Sequence, residues 1–92
     1  MDRIKIAIEL KKDSREKVIN ELIRKDYEIG YSSFYYTIWV YDLGNIRFDN
    51  VNKNSIILEN GKTMVGIRIN FNDIEYFEIH NQKEQMFTLE DK

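Results

Sequence analysis

The chain has 92 residues, 42% hydrophobic and 33% charged, with 14 basic side chains against 16 acidic ones, no cysteine and no proline. This is the composition of one small folded domain, taken as 1–92; it excludes disulfides and thiolate metal sites. A net charge of −2 argues against a general nucleic-acid binder, whose affinity comes mainly from neutralised phosphates.

No run approaches the ~18 apolar residues of a membrane span, and no signal-peptide core opens the chain. With no cysteine to staple a secreted fold, a cytoplasmic location is expected. Residues 3–10 alternate, Ile4, Ile6, Ile8 and Leu10 against Arg3, Lys5, Ala7 and Glu9, the period of a half-buried strand. Asp13 and Glu16 have capping-box spacing and predict a helix over 14–25, with Val18, Ile19, Leu22 and Ile23 on its apolar stripe. Tyr27 and Ile29 then point one way from a short strand, and Gly30 with Ser32-Ser33 predicts a bend.

Residues 34–41 are the most apolar run, with Phe34, Tyr36, Ile38 and Val40 on one side and Tyr35, Thr37, Trp39 and Tyr41 on the other. That pattern predicts a central strand covered on both faces. Asp42-Leu43-Gly44-Asn45 reads as a tight turn with positive φ at Gly44, before a strand in which Ile46 and Phe48 alternate with Arg47 and Asp49.

Asn60-Gly61 between two alternating runs predicts a hairpin of 55–59 and 63–71, with Val65, Ile67, Ile69 and Phe71 inward. Phe71-Asn72-Asp73 turns the chain into a short strand at 76–79. The stretch after it is polar until Met86, Phe87 and Leu89, which either tie back onto the sheet or await a partner. The expected fold is α+β: one N-terminal strand and helix packed on a strongly bent antiparallel sheet or a small SH3/Sm-like barrel.

From Leu43 onward, the Gly44-Asn45-Ile46 strand, the Asn-Gly hairpin and Ile69-Asn70-Phe71-Asn72-Asp73-Ile74 leading into Tyr76 to Ile79 resemble small Sm-like or SH3-like barrels, YolD-like proteins in particular. The resemblance covers 43–79 and implies a regulator associated with mobile elements and DNA damage. The aromatic-proline segment of YolD-like chains has no counterpart, and no functional residue is carried over.

Chemistry is sparse. His80 is the one histidine and sits where a strand meets a polar stretch, so a Ser-His-Asp arrangement has little to build on. Asp73, Glu75 and Glu78 lack the glycine-centred spacing of a calcium loop, and Gly30, Gly44, Gly61 and Gly66 are isolated rather than grouped as a phosphate cradle. No enzyme activity and no cofactor are expected.

Seven of the twelve aromatic residues fall between Tyr27 and Tyr41, which makes this stretch either core or a contact surface. If the helix covers the aliphatic side, Tyr35, Trp39 and Tyr41 line the other as interface anchors, with Asp42, Asp49, Asp73, Glu75 and Glu78 as an acidic rim. The expected function is a non-enzymatic protein-binding inhibitor or adaptor acting by surface occupation, with a homodimer as one arrangement. By analogy of size and charge, its partner would be a nucleic-acid-handling enzyme, as for a phage-encoded inhibitor of a host defence nuclease such as an anti-CRISPR. The alternative is an Sm-like single-stranded nucleic-acid-binding regulator using the same rings with Arg47, Lys62 and Arg68.

Overall fold

The alternation at the start of the chain becomes strand β1 (Ile4–Leu10), with Ile6, Ile8 and Leu10 buried. The structure, a computed structural model, describes residues 3–31, 37–51 and 53–81. Ser32-Ser33, Tyr35 and the run Met86, Phe87, Leu89 lie outside them. A 3-10 turn, Lys12–Ser14, precedes helix α1 (Arg15–Arg24), which buries Val18, Ile19 and Leu22. The expected capping box does not form. Asp13 is taken up in the 3-10 turn, and Ser14 at the N-cap makes no bond to the helix; its hydroxyl donates to Asp73 Oδ1 at 2.6 Å. Ile23, expected on the apolar stripe, is 56% exposed because it lies about 100° round the helix from Leu22.

The end of α1 follows from local chemistry. Asp26 takes a left-handed conformation (φ 64°), its N–H donates to Ile23 O and that of Tyr27 to Leu22 O. This is a Schellman closure with aspartate in the position usually held by glycine, and buried Tyr27 supplies its apolar contact. Strand β2 (Glu28–Tyr31) follows.

Strand β3 (Thr37–Phe48) runs straight through 42–45, where a tight turn was expected. The positive φ sits at Asp42 (58°) and at no glycine. Leu43 is fully buried and has to stay on the inner face, so the extra residue is absorbed as an irregularity in the pairing between Leu43 and Asn45, which bends the strand instead of reversing it. The first half of β3 pairs with β1 and β2, the second with β4 (Ser55–Asn60). Asp42 holds the bend: its carbonyl accepts the Gly61 N–H at 3.0 Å, and its carboxylate meets Arg3 at 3.3 Å.

The hairpin from β4 to β5 (Gly66–Asn70) exists, but not with a two-residue Asn-Gly turn. Asn60 completes β4, its side-chain oxygen accepts the Lys62 N–H, and Met64 (φ 67°) carries the positive dihedral. Gly61 is needed for another reason. A Cβ there would stand 2.3 Å from the Asp42 carbonyl oxygen, so only glycine lets the loop touch the β3 bend. β5 thus begins at Gly66 rather than 63, and Val65, expected inside, is 40% exposed.

A 3-10 turn, Phe71–Asp73, leads into β6 (Ile74–Asn81), longer than the expected 76–79. The six strands form one antiparallel sheet of order β5-β4-β3-β1-β6, with β2 also on β3. β5 and β6 stand at the two ends of that order, and only three residues join them, a span of about 14 Å at most, so the sheet must curl to bring its ends together at that corner. It is not closed: among the described residues β5 and β6 do not pair, so of the two expected forms, bent sheet or small barrel, the chain takes the open sheet.

The core is one cluster on the concave side, where Val18, Ile19 and Leu22 of α1 meet Ile6, Ile8, Ile38, Val40, Ile56, Leu58, Ile67 and Ile69 of the strands. Phe71 and Phe77 pack against its edge, and the exposed Phe48 ring stands beside both, the three centroids 6.0–6.5 Å apart. Coverage of the central strand is one-sided. Ile38 and Val40 are fully buried, whereas Trp39 and Tyr41 on the other face are half-buried. No helix among the described residues is long and apolar enough to cross a membrane.

Candidate functional site

Period two decides which side chains reach the outer face. Ile6 is paired with Val40 and Ile79 and looks inward, so Lys5, Ala7 and Glu9 of β1, Trp39 and Tyr41 of β3, and Tyr76, Glu78 and His80 of β6 share the side away from α1. Trp39 stands between Ala7 and Gly30, its partners on β1 and β2, and these two small residues leave room for large rings. The Tyr41 ring lies over Gly30, where a Cβ would come within 3.4 Å of it.

Lys5 organises the rings. It is 9% exposed, and its Nζ lies 4.9 Å from the Trp39 ring centroid and 5.9 Å from that of Tyr41. A cation this close to two aromatic faces is attracted by their quadrupoles, worth about 0.5–2 kcal/mol according to desolvation. Trp39 and Tyr41 stand parallel, 6.2 Å apart at 14°. Too little space remains between them for a third ring, so they present outer faces and edges.

On β6, Glu78 accepts hydrogen bonds from the Tyr76 hydroxyl and from His80 Nε2, the latter at 3.1 Å. The Tyr76 bond first, then that from His80, holds the Glu78 carboxyl below its usual range, and the same bond raises the Tyr76 phenol. The His80 ring lies 5.4 Å from Trp39, tilted by 50°, and joins the β6 trio to the Trp39–Tyr41 pair. The result is an aromatic surface with Lys5 beneath it and the Glu78 carboxylate hydrogen-bonded at its side. His80 and Glu78 form a dyad, but among the described residues neither holds a serine or threonine hydroxyl, and there is no group of three metal-ligating side chains.

The residues expected at the site separate. Trp39, Tyr41 and Glu78 come together on this face; Tyr35 lies outside the described residues. Asp42 serves the β3 bend. Asp49 is 5% exposed, accepts the Val51 N–H at 2.8 Å and meets Arg68 at 3.2 Å, so it fastens the turn between β3 and β4. Asp73 ties the start of α1 to the β5–β6 corner through Ser14 and Lys17, and Glu75 is exposed at the start of β6.

Lys5, Tyr76 and His80 were missed as site residues. Their parity with Ala7 and Glu78 was readable in the sequence, but the pairing of β1 with β6 that brings them to Trp39 was not. Of the cations considered for nucleic acid, Lys62 faces Asp26 at 3.8 Å, Arg68 faces Asp49, and Arg47 projects beside Ile57 in the other half of the sheet. Comparisons with protein-family models, with curated proteins and with solved structures found no match to this chain.

Proposed function

We propose that this protein is a non-enzymatic binding module of the inhibitor or adaptor kind, and that the outer face of β1, β3 and β6 is where it meets a protein partner. The observation that carries the reading is the half-buried Trp39–Tyr41 pair, held beside Lys5 on a sheet face that no second layer covers among the described residues. Rings already immobilised lose little entropy on docking, and Trp and Tyr are the side chains on which interface energy concentrates. Glu9, Glu28 and Glu78 around them favour a partner with a basic surface.

Affinity capture from the native host, with a Trp39→Ala/Tyr41→Ala chain as the control, tests this. A protein held by the native chain and released by the variant is expected, with Trp39→Ala alone weakening the purified complex roughly 30-fold or more. Identical captured sets overturn the reading. So does binding of a generic single-stranded oligonucleotide that weakens steeply with salt, which selects the nucleic-acid regulator instead.

A further inference from the structure

Asn60-Gly61, the pair that marks the hairpin in the sequence, is also the dipeptide at which asparagine most readily loses its side-chain amide. With no Cβ on the following residue, little shields the asparagine Cγ from that residue's main-chain nitrogen. In the reaction the Gly61 nitrogen gives its proton to base and bonds to Asn60 Cγ, and the Cγ–Nδ2 bond breaks with release of ammonia. Water then opens the resulting five-membered imide at either carbonyl, leaving aspartate or isoaspartate.

The fold holds both reacting groups. The Gly61 N–H donates to Asp42 O at 3.0 Å, and the Gly61 carbonyl accepts from Arg3 Nη1 at 3.1 Å. Arg3 also meets the Asp42 carboxylate, so one side chain fastens both sides of this contact. Asn60 is 3% exposed; its Oδ1 accepts the Lys62 N–H at 2.9 Å, and its Nδ2 donates to Asp26 O at 2.9 Å and Lys25 O at 3.3 Å. Attack needs the nitrogen stripped of its proton and Cγ turned onto it, and here both groups are committed elsewhere.

We infer that Asn60 is a latent deamidation site, shut in the folded chain and reached only when the β4–β5 loop parts from the β3 bend. The change runs one way. The two carbonyls just past α1 that now receive the Asn60 amide would face a carboxylate, so the converted loop does not re-form its attachment to the helix end. A chain that has opened is thereby marked and left loosened.

The test follows the full chain in mildly alkaline buffer. Conversion is read by mass spectrometry of the peptide containing Asn60, and opening by hydrogen exchange at the Gly61 amide. Asn60 should convert at least roughly tenfold more slowly in the folded chain than in the same chain unfolded in urea. Arg3→Ala should accelerate conversion of Asn60 and exchange at Gly61 by a common factor, roughly three- to tenfold, and leave Asn54-Ser55, between β3 and β4, at its native rate. Asp42→Asn, which removes the ion pair and keeps the main-chain contact, should move both in the same direction and serves if Arg3→Ala does not fold. Asn60→Asp, the product state, should speed exchange at Asp26 and Tyr27, whose N–H groups close the helix. Equal conversion in the folded and unfolded chain, conversion unmoved by the Arg3 and Asp42 variants, a rise shared by Asn54-Ser55, or native exchange in Asn60→Asp overturns the inference. Every rate is read on the free chain, so no outcome depends on the partner reading.

Discussion

Tyr27 carries its hydroxyl between two main-chain carbonyls, 2.6 Å from Leu58 O and 2.8 Å from Val65 O. Burial pushes its pKa from 10.0 up to about 12, so the fold accommodates the neutral phenol and resists the phenolate. The stability it contributes is therefore complete below pH 10 and is lost as pH rises from there through about 12. Tyr27→Phe should lower unfolding free energy at neutral pH by about 1–2 kcal/mol and flatten the alkaline decline, both read from urea midpoints across pH. At the β4–β5 loop, Gly61→Ala should cost about 1–3 kcal/mol by forcing a Cβ against the Asp42 carbonyl. Met64→Gly should instead gain about 0.5–1 kcal/mol by relieving a left-handed, 71% exposed methionine. Thermal melts of the two variants that move in the same direction would contradict this assignment of roles. Asn60-Gly61 announced a hairpin in the sequence, but local pattern could not tell that its glycine answers to a strand nineteen residues earlier rather than to the turn itself.

At the scale of elements, the helix and most strands were legible from periodicity; the errors lie at their ends and in β3, read as two strands about a turn where one runs through. α1 begins late because Ser14 is drawn to Asp73 across the molecule, an attachment that outcompetes the local cap. Ser14→Ala should therefore cost about 1 kcal/mol, and exchange at the first turn of α1 and at the β5–β6 corner should rise together. A rise confined to the helix would mean that the hydroxyl only caps it. In β3, the sequence Asp42-Leu43-Gly44-Asn45 has every mark of a reversal, and tertiary burial of Leu43 overrides it. Leu22→Ala, at a fully buried position on the stripe, should cost about 2–5 kcal/mol in denaturant midpoint.

For the whole molecule, the α+β class, the single helix and the division of Ile38 and Val40 from Trp39 and Tyr41 were readable from one dimension, because alternation fixes sides. Strand order was not. It is set by which distant edges meet, and so the company of Trp39, namely Lys5 and His80, was hidden. β1 sits between β3 and β6, and Ile4 is aligned with Asn81, among the most distant pairings the described chain allows. Such non-local pairing should place refolding in the millisecond-to-second range by stopped-flow fluorescence of Trp39; microsecond relaxation would contradict the sheet order. There is a consequence for synthesis in the cell. β1 can find β3 soon after both have left the ribosome, but β6, its second neighbour, is made later than β2 to β5, so a growing chain carries β1 with one flank bare until translation has passed Asn81. Nascent fragments that stop before β6 should accordingly be sticky and protease-sensitive, and the sheet should take its shape only after β6 is free.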